Sequence, residues 1–400
     1  MKRIAILGST GSIGRSTLSV VEAHPERFSV VSLAAGSNVE AALEQAKSWR
    51  PRVISMATAR AADELARRLK RAACDDVEVV GGSAGAIRVA THPDADFVVS
   101  AIVGVAGLEA TYEAVRAGKS VGLANKECLV AAGELITAEA KKHGKPLLPI
   151  DSEHNAVHQC MRGGRLEEVQ AVWLTASGGP FLDTPASRFP RITVEEALAH
   201  PTWKMGRRIT IDSAALMNKG FEVIEACRLF GLPPSRVKVI VHPQSTIHSL
   251  VEFVDGSILA QLSVTDMRLP ILYALTWPER IPSTFRYSVS DLRHLDFREP
   301  DMQKFPCLAL AYEAAEAGGS KTVALNAADE VAVAAFLDGL IGFDEIPRVI
   351  RDVVNETRAR HPESIKEVLL IDAQARQLAR DRVQHSKSRK AGTRRPVVAK

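Results

Sequence analysis

The first fourteen residues constrain the fold most tightly. The apolar run IAIL, residues 4–7, leads into GSTGSIG, Gly8 to Gly14, and a helical pattern carrying Leu18, Val21 and Glu22 follows at once. Glycines in a strand-to-helix turn leave free backbone N–H groups at the helix start, where a pyrophosphate binds. The spacing is GxxGxxG rather than GxGxxG, so it is the strand before and the helix after that carry the dinucleotide reading over a plain tight turn. Strands and helices then alternate to about Ile150, including DFVVSA (96–101) and SVGLA (120–124), which predicts a parallel sheet.

The second strand, Phe28 to Ala34, runs into Ala35-Gly36-Ser37-Asn38 without the acidic residue that usually holds the ribose 2'-hydroxyl of NAD. NADP is therefore expected. Glu40, the nearby carboxylate, falls in the next helix and points away, while Ser37 and Asn38 can donate to a 2'-phosphate.

Two further tracts carry polar chemistry. In DSAALMNKGFE, Asp212 to Glu222, the residues Ser213, Asn218 and Lys219 offer a hydroxyl, an amide and an ammonium suited to a phosphate dianion, and Glu222 offers a hard anionic oxygen. On a helix, Asn218 and Glu222 stack one turn apart. An ordinary capped amphipathic helix is the plain alternative. Asp151-Ser152-Glu153 follows the apolar stretch 146–150 at the C-terminal end of a strand, where ligands bind in open α/β sheets. Asp151, Glu153 and Glu222 together make three oxygen ligands for Mg2+ or Mn2+.

At 400 residues the chain should hold two or three domains. With 46% hydrophobic and 24% charged residues it reads as a soluble globular protein, and no stretch approaches the ~18 apolar residues of a membrane span. It opens directly into a strand, without the organisation of a signal peptide, and a cytoplasmic location is expected. Cys74, Cys128, Cys160, Cys227 and Cys307 form no CxxC pair, so neither a disulfide framework nor a zinc cluster is expected. From Ser386 to Lys400 six basic residues occur with no acid, leaving the body mildly acidic; this reads as a disordered basic tail, with no nucleic-acid partner expected.

From Glu168 the pattern changes to EVQAVWLTA, VKVIV, LVEFV and SILAQL, the last two joined through Asp255-Gly256, a hairpin signal. This predicts a second, mixed α/β domain. Pro278, Pro282, Pro300 and Pro306 punctuate a linker, after which Ile346, Val349, Ile350, Val353 and Val354 recur at helical spacing, predicting a terminal helical bundle. A tract from Ser177-Gly178-Gly179-Pro180 to His200-Pro201-Thr202-Trp203 and Gly206 reads as a lid. His154 and His158 stand at i, i+4 without HExxH and read as structural.

The motifs GSTGSIG, Ala124-Asn125-Lys126-Glu127, Asp151-Ser152-Glu153, SGGPF, HPTWKMG, DSAALMNKGFEVIEA and VHPQSTIHS occur in an order that closely resembles the 1-deoxy-D-xylulose 5-phosphate reductoisomerase family, over almost everything before the tail. The resemblance implies an NADPH-binding domain with a Rossmann-like parallel sheet at 1–150. It implies a central mixed α/β catalytic domain with lid and dimer contact at 151–285, a linker at 286–312, a C-terminal helical domain at 313–385 and a disordered basic tail at 386–400. It implies a homodimer and an NADPH-dependent rearrangement and reduction of the sugar phosphate to 2-C-methyl-D-erythritol 4-phosphate, by a retro-aldol or an α-ketol route. Thr10, Gly11, Ser12, Ile13, Gly36, Ser37, Asn38, Asn125, Glu127 and Gly206 would contact NADPH, and Asp151, Glu153 and Glu222 would hold Mg2+, Mn2+ or Co2+. Lys126, Ser152 and Glu153 would meet the substrate, Ser177, Ser213, Asn218 and Lys219 its phosphate, and His200 and Trp203 would cover it. Lys126, Glu153 and His200 would stand nearest the chemistry. At position 37 relatives often carry a basic residue, where this chain has Ser37. Another NAD(P)-dependent dehydrogenase, needing no metal triad, and an NADPH-sensing or nucleic-acid-binding protein are the rival readings.

Overall fold

Strand β1 (Lys2–Leu7) is fully buried from Ile4 to Leu7, as its apolar run requires, and it starts an alternation of strand and helix. In chain order follow α1 (Ser12–Ala23), β2 (Phe28–Ala35), α2 (Val39–Trp49), β3 (Val53–Met56), α3 (Ala59–Arg71), β4 (Glu78–Gly81), α4 (Gly82–Ala90), β5 (Phe97–Ser100), α5 (Leu108–Arg116), β6 (Ser120–Leu123), α6 (Glu127–His143) and β7 (Leu147–Pro149). The strands form one seven-stranded sheet, ordered β4-β3-β2-β1-β5-β6-β7, with every neighbouring pair parallel. The order reverses between β1 and β5, which opens a crevice beyond their C-terminal ends, and the glycine turn follows β1 at that point.

Beyond the sheet come α7 (Ser152–Cys160), β8 (Val169–Ala176), α8 (Val194–Leu198), α9 (Arg207–Ala214), α10 (Met217–Phe230), β9 (Val237–Val241), β10 (Ile247–Phe253), β11 (Ile258–Leu262), α11 (Arg268–Thr276), α12 (Pro306–Ala317), α13 (Ser320–Leu337), α14 (Ile346–Glu356) and α15 (Ile365–Gly392). The turn joining β10 to β11 is built as its sequence suggests: Gly256 takes φ +85°, and the Asp255 carboxylate accepts the Ser257 N–H at 2.9 Å.

The computed structural model describes residues 1–203 and 205–392, and the chain divides into two compact units. The first comprises Met1–Leu129, Gly133–Gln170 and His248–Arg293, and the second Val130–Ala132, Ala171–Ile247 and residues 294 onward. In the first unit α11 packs on α1, and Ile271, Leu272, Ala274 and Leu275 join the core formed by Ile4, Ile6, Leu33, Ile54, Phe97 and Val99. In the second, β8 and β9 pair in parallel from Val172 opposite Val237 to Ala176 opposite Val241. Helix α13 is buried on nearly all sides, and α12, α14 and α15 pack around it, so its sequence is apolar all round rather than amphipathic. Gly220 of α10 lies against α12, where an added Cβ would come within 2.5 Å of Ala311 Cβ. Helix α15 reaches Gly392, past Ser386 where the basic tail was expected to begin; the rest of that tail, 393–400, lies outside the described residues.

Candidate active site

The glycines after β1 are required by close approach as well as by conformation. Gly8 takes φ +85°, and a Cβ there would lie 2.4 Å from the Ala101 carbonyl oxygen; one at Gly14 would meet the Gly8 oxygen at 2.3 Å. Gly11 precedes α1 and brings no side-chain cap, and the first turn carries no acid. The N–H groups of that turn, with Ser12 and Ile13, are thus open to an anion. Thr10 sits in the same turn, its carbonyl bonded to Arg15 at 2.7 Å.

Beyond β2, Gly36, Ser37 and Asn38 are exposed. The Asn38 Oδ1 accepts the Ala41 N–H at 3.0 Å and so caps α2. Glu40 is turned away into an ion pair with Arg68 at 2.7 Å, so no carboxylate faces the end of β2 from that position. Asn125, after β6, is buried; its Nδ2 donates to the carbonyls of Ile102 and Gly104, while its Oδ1 has no partner among the described residues. A cradle closed to any Cβ and an uncapped helix start after β1, with an orphaned amide oxygen after β6 on the other side of β5, fit a dinucleotide. Glu127 begins α6 beside them.

Next along this edge, Lys126 and Asp151 form an ion pair with both side chains almost wholly buried. Burial alone would raise the Asp151 pKa, but the Lys126 ammonium and the neighbouring His154 hold it well below the usual carboxylate range. Asp151 follows β7 and caps α7, accepting the Glu153 N–H at 3.3 Å, and Ser152 Oγ donates to Glu153 Oε2 at 2.5 Å. Carboxylate oxygens of Asp151 and Glu153 come within 4.8 Å of each other, so two hard, anionic donors converge as a divalent cation needs.

The second unit holds its own polar cluster. Ser177 follows β8, and Gly178 and Gly179 after it take positive φ. His200 Nε2 lies 3.2 Å from Ser177 Oγ and 3.1 Å from Ser213 Oγ, while its Nδ1 accepts the backbone N–H groups of Thr202 and Trp203 at 3.2 and 2.9 Å. An Nδ1 that accepts is unprotonated, so Nε2 carries the proton and both serine oxygens act as acceptors. Their hydroxyl hydrogens are thereby left to a ligand. Burial lowers the His200 pKa, keeping the ring neutral at pH 7.

Helix α10 begins at Met217, after Leu216 in the left-handed region, so neither Ser213 nor Asn218 is its cap. Asn218 Nδ2 donates to Glu222 Oε1 at 2.6 Å, the i to i+4 pairing that the spacing predicts, and Lys219 pairs with the same carboxylate in the interior. Gly206 precedes α9 without a side-chain cap. Trp203 is half-buried. The lid tract is more structured than its glycines and prolines suggest: 186–191 and 194–198 are helical, and Phe181 and Phe189 pack on Phe343 with ring centres 5.2 and 5.5 Å apart.

Three stretches of the chain match sequence models of one family. Residues 4–133 match 1-deoxy-D-xylulose 5-phosphate reductoisomerase, residues 147–230 its C-terminal domain, and residues 262–378 the DXP reductoisomerase C-terminal domain. The chain belongs to the 1-deoxy-D-xylulose 5-phosphate reductoisomerase family. It is 51% identical over 95% of its length to the reductoisomerase of Solibacter usitatus, covering 97% of that protein, and 50% identical over 95% to that of Methylococcus capsulatus, covering 98%. Among solved structures it resembles a reductoisomerase in complex with NADPH, fosmidomycin and magnesium. The TM-score there is 0.90 and the identity 40%, covering 96% of this chain and 98% of the other. It also resembles the Zymomonas mobilis reductoisomerase in complex with NADPH, with TM-score 0.89 and identity 41%, covering 96% and 99%.

Sequence reasoning missed several groups of this chain. His154, read with His158 as structural, is buried 3.6 Å from Asp151, whereas His158 does bond the Tyr273 hydroxyl at 2.8 Å away from that cluster. Glu225, fully buried one turn after Glu222, lies within the motif DSAALMNKGFEVIEA but has no role in the sequence reading. Arg208 of α9 reaches Asp212, Asp329 and Glu330 at 3.6, 3.4 and 3.1 Å, and Glu330 also pairs with Arg376 at 2.7 Å. Only the pair Arg208 and Asp212, four apart, had a signal in the spacing.

Proposed function

We propose that this protein rearranges and reduces 1-deoxy-D-xylulose 5-phosphate to 2-C-methyl-D-erythritol 4-phosphate with NADPH and a divalent cation. What carries it is the family match along almost the whole chain, joined to the local geometry of each motif residue. Asp151, Glu153 and Glu222 are the ligands for Mg2+ or Mn2+, which supplies a Lewis acid for the ketone and neighbouring hydroxyl of the substrate. NADPH, supplying hydride, takes Thr10 to Ile13, Gly36 to Asn38, Asn125, Glu127 and Gly206. Ser177, Ser213, Asn218 and Lys219 hold the phosphate, the two serines offering hydroxyls oriented by His200. Lys126 keeps Asp151 ionised and lies beside the substrate oxygens that Ser152 and Glu153 bind. His200 and Trp203 close over the bound sugar, which excludes water.

The division of labour is that of an NADPH domain at 1–150, a catalytic domain at 151–285, a linker at 286–312 and a helical domain at 313–385. A homodimer is proposed because Val254, Ile258, Leu259 and Leu262 leave apolar surface exposed on the β10–β11 hairpin. Sedimentation of wild type against Leu259→Lys tests it. No helix among the described residues is long and apolar enough to cross a membrane, and all five cysteines are free thiols, which suits the reducing cytoplasm.

The deciding assay mixes the purified protein with the deoxyxylulose phosphate, NADPH and Mg2+ or Mn2+, and follows nicotinamide absorbance and the product mass. Consumption of NADPH that requires metal and yields the branched polyol phosphate is expected. A protein that leaves NADPH untouched under these conditions is not this enzyme.

A further inference from the structure

A nucleotide carrying a 2'-phosphate needs a cation beside its ribose, and Ser37 brings none. Strands β2 and β3 lie side by side and parallel, with Ala35 opposite Met56, so segments 36–38 and 57–60 leave the sheet together. The Ala57 N–H donates to the Gly36 carbonyl at 3.2 Å and ties the two segments edge to edge. Three residues further on, in the first turn of α3, stands Arg60, exposed and without a hydrogen bond or ion pair among the described residues.

Most charged groups of α2 and α3 pair with one another, although the Asp63 carboxylate, three residues after Arg60, takes part in no ion pair among the described residues. Arg68 pairs with Glu40 and Glu64, both at 2.7 Å, Arg67 pairs with Glu64, and Lys47 pairs with Glu44 at 3.1 Å. The first turn of α3 holds no acid, so the helix start adds to the positive potential there. Thr58 has its oxygen committed as the cap, accepting the Ala61 N–H at 3.2 Å. Asn38, whose Oδ1 accepts the Ala41 N–H, is exposed and keeps its amide donors for a ligand.

We propose that Arg60 is the residue that selects NADPH over NADH, standing in from the next strand for the charge absent at Ser37. Its guanidinium takes two phosphate oxygens in a forked pair, while Ser37 Oγ and Asn38 Nδ2 donate to the remaining ones. This rests on the NADPH use proposed above.

Direct binding tests it, with calorimetric dissociation constants for NADPH and NADH on the full chain in the absence of sugar. Arg60→Ala should weaken NADPH by roughly tenfold to hundredfold and leave NADH nearly unchanged. Arg60→Lys should recover part of the loss, and adding Ser37→Lys to Arg60→Ala should restore NADPH preference, because either position can carry the charge. Arg60 makes no contact that the fold needs, and NADH affinity reports on the integrity of the site. A ratio of NADPH to NADH affinity unchanged by Arg60→Ala, in an enzyme that prefers NADPH, overturns the role of Arg60 alone. A wild type that binds both nucleotides equally, or neither, overturns it together with the NADPH assignment.

Discussion

His200 Nε2 lies 3.1 Å from Ser213 Oγ while its Nδ1 is held by two backbone N–H groups, so one imidazole fixes the direction in which a serine hydroxyl can donate. Hydrogen bonding here sets a tautomer, and the tautomer sets the chemistry of the serines around it.

His200→Ala should release those hydroxyls and weaken a phosphorylated ligand. Two imperfectly aimed hydrogen bonds correspond to about a fivefold to thirtyfold rise in KM for the sugar phosphate. NADPH affinity without sugar should stay the same. Steady-state kinetics beside nucleotide titration checks both, and an unchanged KM would remove His200 from the phosphate cluster.

Glu222→Gln keeps the shape of the side chain but removes one anionic oxygen donor and half of the buried pair with Lys219. Turnover should fall by at least about a hundredfold, with NADPH binding intact. A thermal melt run in parallel separates lost metal binding from lost folding. Activity equal to wild type at limiting Mn2+ would show that Glu222 is no ligand.

Stability should fall as the solution is acidified through the range set by His158. Burial lowers its pKa from 6.5 to about 4, with Arg162 adding to the effect, and Tyr273 and Trp277 pack against the ring. Below 6.5 the unfolded chain takes up a proton that the folded chain refuses, so stability present above 6.5 is lost progressively toward pH 4. The loss amounts to about 3 kcal/mol at most. His158→Gln, which can still bond the Tyr273 hydroxyl, should flatten this part of the stability profile in urea titrations at stepped pH. A profile of undiminished slope would assign the effect to other groups.

Gly220→Ala should destabilise although alanine favours helices. The new methyl would meet Ala311 Cβ at 2.5 Å, and neither partner has a flexible end to move aside. Overpacking of this kind costs about 1 to 3 kcal/mol. Calorimetry should show a melting temperature lower by several degrees, and a rise would mean that α10 and α12 can separate freely.

Much of the site was legible because its signals are local. The strand-glycine-helix opening, the i to i+4 stacking of Asn218 and Glu222, the Asp255-Gly256 turn and the buried stripe Ile346, Val349, Ile350, Val353 and Val354 each repeat the geometry of a single element. A period of two or 3.6 residues, or a turn that only glycine enters easily, leaves its mark in the residues themselves.

What the sequence by itself determined, then, is which elements form and which polar groups each presents, because backbone sterics and hydrophobic periodicity act within a few residues. Tertiary structure alone decided that α11 packs on α1 in the sheet's core, that His154 faces Asp151 while His158 turns to Tyr273, and that Arg208 finds Asp329, Glu330 and the Arg376 pair more than a hundred residues away. The ends of such contacts share no period and no common turn. They are selected by close packing and by the cost of burying an unpaired charge, which act only once the chain has brought distant segments together.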